Sequence, residues 1–300
     1  MNKVFEALPD DIYLSAINIP GTHDSCTAFC TMENMSRCHS MTVKEQLASG
    51  IRLFDIRLGK GQGDFYLVHA LADCFSDKEK QKRLSFDEVL SEFTAFLREN
   101  PGETLIVSIK QDRGIINRWF FPPFYKKYIE GNEALWYLEN KIPQLHECRG
   151  KMVLMRRCRL WRGFRSGHKT GLDFSYWRDQ DSKRKTHPLP VYLNKEAMAM
   201  VQDRYGLAAE KKWYECARDF LDNSVRVIKE NQIAVHFLST ANRGGEKTLY
   251  ETACRINAEF MRYELNKASA QGWMLFDFPE NELIEKIINS NYEIYKEKLK

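Results

Sequence analysis

"LSAINIPGTHDS", residues 14–25, joins an apolar alternating run to a Pro-Gly break and then sets a histidine beside an aspartate. The alternation predicts a β-strand over Leu14–Ile19. Pro20-Gly21 then reads as a turn that delivers His23 and Asp24 just past the strand's end. The fold depends on whether this unit repeats, because in a parallel α/β sheet the reactive groups sit where strands give way to loops.

It does repeat. Short apolar or alternating runs predict further strands near Ile51–Leu58, Phe65–Val68, Thr104–Ile109, Met152–Met155, Val191–Leu193, Ile233–Leu238 and Trp273–Phe278. Helical patterns lie between them. Thr42-Val-Lys-Glu45 and Ser85-Phe-Asp-Glu88 read as capping boxes, and Asn100-Pro101-Gly102 reads as a helix stop. There is no internal repeat or low-complexity linker, so residues 1–300 are expected to form one domain. About eight strands alternating with helices point to an α/β fold closed as a barrel, least regular between about Phe120 and Pro190.

Composition narrows the classes. Of 300 residues, 43% are hydrophobic and 29% charged, the balance of a soluble globular chain. No stretch approaches the roughly 20 apolar residues of a bilayer span. A net charge of +4 is mild, which argues against a dedicated nucleic-acid binder. The start, MNKVFEALPDDIYLS, lacks the apolar core of about 7–15 residues that marks a secretory signal. Eight cysteines in a chain with a substantial core are expected to be free thiols. A cytoplasmic location, or export without a cleaved signal, is the expectation; secretion is the alternative if a signal has been removed.

The ends of the strands share a chemistry. They carry His23-Asp24, Asp55-Ile-Arg57, His69, Lys110-Gln-Asp112, Arg156-Arg157 and Asp277, while the strand bodies stay apolar. Two histidines at one site can serve as general base and general acid. Arginine and lysine beside them would neutralise charge growing on a phosphoryl group, and a carboxylate beside a histidine fixes its tautomer. The set suits phosphodiester cleavage by internal attack. Taken singly, His146, His168, His187 and His236 read as packing or turn residues.

These residues lie within motifs that resemble a known family. "IPGTHDS", "GIRLFDIRL", "FYLVHA", "FLRENPGETLIVSIKQD", "RGKMVLMRR", "VQDRYG" and "GWMLFDF" occur in the order seen in the catalytic X-domain of bacterial-type phosphatidylinositol-specific phospholipase C. The resemblance runs from about Leu14 to Asp277. It implies a single irregular TIM-like barrel that cleaves phosphatidylinositol, or its glycosylated form, to diacylglycerol and inositol 1,2-cyclic phosphate without a cofactor.

Carried over by position, His23 resembles the general base acting on the inositol 2-hydroxyl. His69 resembles the general acid for the departing glycerol oxygen, with Asp277 as its orienting carboxylate. Arg57 would contact a nonbridging phosphate oxygen, with Asp24 and Asp55 as its charge partners. Lys110, Asp112, Arg157, Asp203 and Tyr205 fall where the family binds the inositol ring, Tyr205 supplying a stacking face. Calcium-dependent relatives carry Glu-x-Asp on the second strand, where this chain has Asp55-Ile-Arg57; arginine cannot ligate calcium but can supply its charge, so no metal is expected. The competing readings are a metal-dependent glycerophosphodiesterase-like barrel, and a catalytically weak module that binds lipid or inositol phosphate.

The expected partner is a phosphatidylinositol-containing membrane surface, touched peripherally by a monomer. Secreted relatives expose tryptophans after the first strand and on a rim loop. Here those stretches read CTAFCTMENMSRCHSM and TANRGGEKTLY, with no tryptophan. Trp119-Phe-Phe-Pro-Pro-Phe124-Tyr125 offers another apolar surface, unless it is a barrel helix packed inward, and Arg156–Lys169 is basic enough to attract anionic head groups. Cys26, Cys30, Cys38 and His39 imitate a zinc set, but their spacing does not suit one tetrahedral ion.

Overall fold

The computed structural model describes residues 2–61, 63–114, 117–180, 188–241 and 248–299. Among them a curled sheet of twelve strands forms the centre of the molecule. In chain order these are β1 (Ile19–Thr22), β2 (Leu53–Lys60), β3 (Phe65–His69), β4 (Ala72–Asp73), β5 (Leu105–Arg113) and β6 (Trp136–Tyr137), followed by β7 (Met152–Arg156), β8 (Leu172–Asp173), β9 (Leu189–Tyr192), β10 (Met198–Gln202), β11 (Gln232–Phe237) and β12 (Trp273–Phe276). The sheet path runs β6-β7-β5-β2-β1-β12-β11-β10-β9, with β8 beside β7 and β3–β4 attached to β2. Neighbours from β6 to β10 are parallel, as the βα alternation requires.

The barrel is irregular, and among the described residues it does not close. Among the described residues no backbone ladder joins β7–β8 to β9–β10. Side chains bridge the opening instead: Asn140 Nδ2 donates to Leu193 O (2.7 Å) and Gln180 Nε2 to Val201 O (2.9 Å). Closure fails where the sequence runs short of apolar residues. Between Met155 and Leu172 the chain is rich in arginine and glycine, and β6 and β8 reach only two residues each.

Strand periodicity sorts the side chains of β2. Phe54 turns out against the helix Phe86–Glu99, its ring 4.8 Å from that of Phe93. Asp55 and Arg57 turn toward the barrel mouth, Asp55 Oδ1 accepting from Ser108 Oγ (3.4 Å) on β5. The helix begins where expected, with the Ser85–Glu88 capping box formed in both directions, and it buries Phe86, Val89, Phe93, Phe96 and Leu97 along one face. Truncating a fully buried ring such as Phe93 to alanine would cost about 3–5 kcal/mol. The Thr42–Glu45 box likewise starts the helix Val43–Ser49.

Three expected strands are placed differently. Leu14–Ala16 is a 3₁₀ turn, and the first strand is the stretch read as a break, Ile19-Pro-Gly-Thr22. Leu14 is held in the turn by Pro143 O and by the Trp273 indole, which donates to Leu14 O (2.9 Å). Pro20 fits in β1 because Ile19 N and His23 N both donate toward the β12 side, to Gly272 O and Phe276 O. Its missing N–H therefore falls on the other edge, where pairing to β2 has only begun. Gly21 is required by closeness: a Cβ there would meet Leu53 Cβ and Leu53 O at 2.9 Å.

The second difference is that β3 is not a barrel stave. It is the returning arm of an antiparallel hairpin on β2, pairing Lys60 with Phe65 and Leu58 with Leu67. β2 and β5 overshoot the rim, and the hairpin brings the chain back to it. Third, Val191 and Tyr192 of the run at 191–193 belong to β9, antiparallel on β10, while the parallel strand is Met198–Gln202. Its composition, MAMVQ, is that of a helix as much as a strand, so sheet context decided it.

Candidate active site

The elbow after β1 is fixed by a buried polar network. His23 N donates to Phe276 O (3.0 Å), and Asp24 then adopts a left-handed conformation (φ 46°), which aspartate tolerates better than most residues. Ser25 closes the turn onto β2: its N–H donates to Asp55 O (3.1 Å), and its Oγ accepts from Asp55 N (2.8 Å). Gln46 Nε2 donates to Ser25 O (2.7 Å) and Thr22 Oγ1 to Gln46 Oε1 (2.7 Å). From the far side, the buried His39 ring places Nε2 2.6 Å from His23 O. "GTHDS" is thus a rigid mount for one imidazole and one carboxylate.

The two imidazoles stand edge to face, 6.0 Å between centroids, in opposite hydrogen-bond environments. His23 Nδ1 lies 2.9 Å from Asp277 Oδ1, and its Nε2 is 2.7 Å from Arg57 Nη2. Facing a guanidinium, which only donates, Nε2 must offer a lone pair, so Nδ1 carries the proton toward Asp277. His69 meets acceptors on both sides: Nδ1 is 2.8 Å from Ser36 O and Nε2 is 3.2 Å from Asp24 Oδ2. That arrangement suits a ring with two N–H groups. Asp277 therefore partners His23, not His69 as the family carry-over had it, and the carboxylate at His69 is Asp24. β12 lies beside β1 in the sheet, whereas β3 is displaced onto the hairpin, so the end of β12 reaches only the first histidine.

Arg57 is clamped by acids. Its Nη1 is 3.0 Å from Asp24 Oδ2, its Nε is 3.1 Å from Asp55 Oδ2, and Asp112 Oδ2 lies at 3.5 Å from Nη1. Asp24 Oδ2 is also 3.1 Å from His23 Nε2, so one carboxylate oxygen stands within reach of both imidazoles and the guanidinium. The protonation preferences follow. Burial first, then the charges of Arg57 and His69, holds His23 well below the ordinary histidine value, so its ring is neutral. Burial also lifts the Asp24 carboxyl to about 6, Arg57 and His69 opposing it. Burial acts on Asp55 and Asp112 in the same direction, but Arg57 together with Arg157 or Lys110 outweighs it and keeps both below the usual carboxylate range.

His23, Arg57, His69, Lys110, Asp112, Arg157, Asp203, Tyr205 and Asp277 line one cavity of about 460 Å³. Asp24 and Asp55 lie beneath it, almost wholly buried. Of the residues singled out at the strand ends, all but Arg156 therefore meet in one place; Arg156 is instead buried against Asp173, Nη2 to Oδ2 2.8 Å. Lys110 Nζ pairs with Asp112 Oδ1 (2.6 Å), Arg157 Nη1 with Asp55 Oδ1 (3.0 Å), and the Tyr205 hydroxyl donates to Asp179 Oδ1 (2.7 Å). Burial raises the Asp203 carboxyl, with Lys212 opposing.

Sequence reading missed Trp177, Asp179, Cys38 and His39 as parts of the site. The Arg157 guanidinium sits 3.8 Å over the Trp177 ring, which holds it flat against the cavity wall. Trp177 lies in the irregular stretch, where no periodicity marks it. Cys38 and His39 were noticed only as a failed zinc set. Cys38 Sγ is 3.9 Å from His69 Nδ1. Of the other histidines, His236 is buried with Nε2 2.7 Å from Gln271 O, His168 stacks on Phe164, and His146 is exposed. His187 lies outside the described residues.

Among the described residues, three sets of donor atoms lie within 4.8 Å of one another: His23, Cys38 and Asp277; Asp24, Cys38 and His69; and His23, Asp24 and Asp55. Each set includes a group that already contacts Arg57 through His23 or Asp24. The guanidinium holds the position of positive charge among these ligands.

Comparison with known proteins fits this arrangement. Residues 18–158 match the phosphatidylinositol-specific phospholipase C X domain. This is the family whose motifs the sequence resembles, and the matched residues span β1 through β7, with both histidines and Arg57. A curated relative from Staphylococcus aureus, named 1-phosphatidylinositol phosphodiesterase, is 26% identical over 312 residues, covering 95% of this chain and 92% of the relative. One of the same name from Listeria monocytogenes is 25% identical, covering 95% and 83%. Among solved structures, a Staphylococcus aureus phosphatidylinositol-specific phospholipase C shares the fold with a TM-score of 0.76 at 22% identity, over 94% of this chain and 95% of that one. The Listeria monocytogenes enzyme follows with 0.68 at 23%, over 96% and 97%. The likeness continues beyond the X-domain match to the β12 end that bears Asp277.

Proposed function

We propose that this protein is a phosphatidylinositol phosphodiesterase that acts as a lyase, releasing diacylglycerol and inositol 1,2-cyclic phosphate. The observation that carries the reading is the opposed pair of imidazoles on one cavity: His23 with a lone pair at Nε2, His69 with acceptors at both nitrogens. The names of the curated relatives support the substrate class.

In this reading His23 Nε2 takes the proton of the inositol 2-hydroxyl, and the freed oxygen attacks phosphorus. His69 Nε2–H protonates the glycerol oxygen as its bond to phosphorus breaks. One proton is taken and one is given, so the site's charge is unchanged over the step. Asp24 Oδ2, 3.1 and 3.2 Å from the two Nε2 atoms, stabilises whichever ring is cationic. Arg57 turns its N–H groups to the nonbridging oxygens, where charge accumulates. Lys110, Asp112, Arg157, Asp203 and Tyr205 would read the inositol hydroxyls from the opposite wall. With Arg57 supplying fixed charge, the reaction is proposed to need no metal, and the protein to meet its lipid as a peripheral visitor. Membrane binding is the subject of a solved Staphylococcus aureus neighbour.

The test is release of water-soluble inositol phosphate from labelled phosphatidylinositol in mixed micelles containing EDTA. Activity should persist in chelator, and His23→Ala and His69→Ala should each lose about 10²–10⁴-fold. Loss of activity with EDTA would refute metal independence. Near-full activity in either variant would refute that histidine's role.

A further inference from the structure

We propose that the protein docks on anionic bilayers through a platform of Trp119 and Trp161 flanked by arginines, on the same rim of the barrel as the candidate active site. This rests on the lipid-cleaving reading above. The helix Asn117–Tyr128 turns Phe120, Phe121, Phe124 and Tyr125 inward, as a packed barrel helix should, yet leaves Trp119 47% exposed. Trp161, from a different loop, is 42% exposed, and the two indoles lie 6.2 Å apart at 37°. Two large rings left half in water beside one another mark a surface made for an interface between water and lipid.

The arrangement is built, not incidental. Arg159 N donates to the Asn117 side chain (2.7 Å), tying the two loops together. Gly163 leaves room for the ring: a Cβ there would come 2.0 Å from the Trp161 indole. Both loops follow the ends of β5 and β7 that carry Lys110 and Arg157, so the platform and the cavity open to one side of the barrel. Exposed Met35, after β1, lines the cavity itself, and exposed Leu71 tips the β3–β4 hairpin.

Charge selects the occupant. Arg118, Arg159 and Arg162 are exposed, and among the described residues none has a carboxylate partner; Arg165 shares Asp173 at 3.2 Å. The Arg118 guanidinium lies 5.8 Å from the Trp119 ring. Indoles at interfacial depth with arginines around them match a bilayer bearing anionic head groups.

The experiment measures partition to vesicles of phosphatidylcholine with phosphatidylglycerol, an anionic lipid that the proposed reaction does not consume, beside hydrolysis of short-chain phosphatidylinositol dispersed as monomers. The W119A/W161A and R159E/R162E variants should each bind vesicles on the order of tenfold more weakly, while hydrolysing the monomeric substrate within about twofold of the parent. Gly163→Ala, which displaces the indole without removing it, should weaken vesicle binding to an intermediate degree. Vesicle affinity unchanged in both double variants would overturn the proposal. A parent dimer in sedimentation that W119A/W161A converts to monomer would also overturn it, by making the platform a self-contact. If the functional reading is what fails, the parent itself leaves the monomeric substrate intact, whatever it does with vesicles.

Discussion

Replacing Asp24 with asparagine should stabilise the fold at neutral pH and slow turnover. The carboxyl is buried beneath the cavity, and that burial pushes it up to about 6 from an ordinary value of 3.8. Burial is the main cause, helped by Asp55 and Asp112 and resisted by Arg57 and His69. A folded pKa raised by about 2 units means that ionising Asp24 costs the native state ~3 kcal/mol relative to the unfolded chain. The sign is opposite to that of a carboxylate stabilised by its partners. The penalty is absent below about pH 3.8, grows as pH rises, and is complete above about pH 6. Asparagine is isosteric, carries no charge, and accepts the left-handed backbone at this position. Urea unfolding of parent and Asp24→Asn should therefore differ by ~3 kcal/mol near pH 8, the variant being more stable, and by less than about 1 kcal/mol near pH 4. The same variant leaves His69 Nε2 without its anion, so the rate should fall about 10²-fold or more. An equal gain at both pH values, or a loss near pH 8, would refute the reasoning.

Two further outcomes follow from the geometry. Asp277→Asn replaces a carboxylate that can only accept with an amide that can also donate to His23 Nδ1; the ring can then present the wrong tautomer, and kcat should drop about 10⁴-fold with substrate affinity little changed. A matched loss at His69 instead of His23, read from proton chemical shifts of the two rings, would contradict the pairing. His69→Ala should be largely rescued by a substrate whose leaving oxygen is replaced by sulfur, because a thiolate departs without a proton, whereas His23→Ala should gain little. Equal rescue of both variants would contradict the division into acid and base.

Much of the site could be read from residue types at strand ends, because a strand's last residues face the barrel mouth whatever the helices outside do. His23, Arg57, Lys110, Arg157 and Asp277 were legible for that reason, and the capping boxes at Thr42 and Ser85 for an equally local one. What escaped depended on neighbours in space. Ile19-Pro-Gly-Thr22 looks like a break, and only the direction of its hydrogen bonds toward β12 makes it a strand. His69 sits on a returning hairpin away from the end of β12, so the carry-over by resemblance gave it the wrong carboxylate partner. Met198–Gln202 has no strong propensity of its own, and β11 supplied its conformation. Trp177 entered the site from a stretch without periodicity, where its contact with Arg157 is purely tertiary.

The central claim is that an internal oxygen attacks phosphorus with His23 as base and His69 as acid. Phosphorus NMR of phosphatidylinositol turned over by the purified protein in EDTA tests it most directly. The account predicts that the resonance of a five-membered cyclic phosphate appears first and accounts for the substrate consumed. An inositol phosphomonoester formed from the outset with no cyclic species, or no product at all, would contradict it.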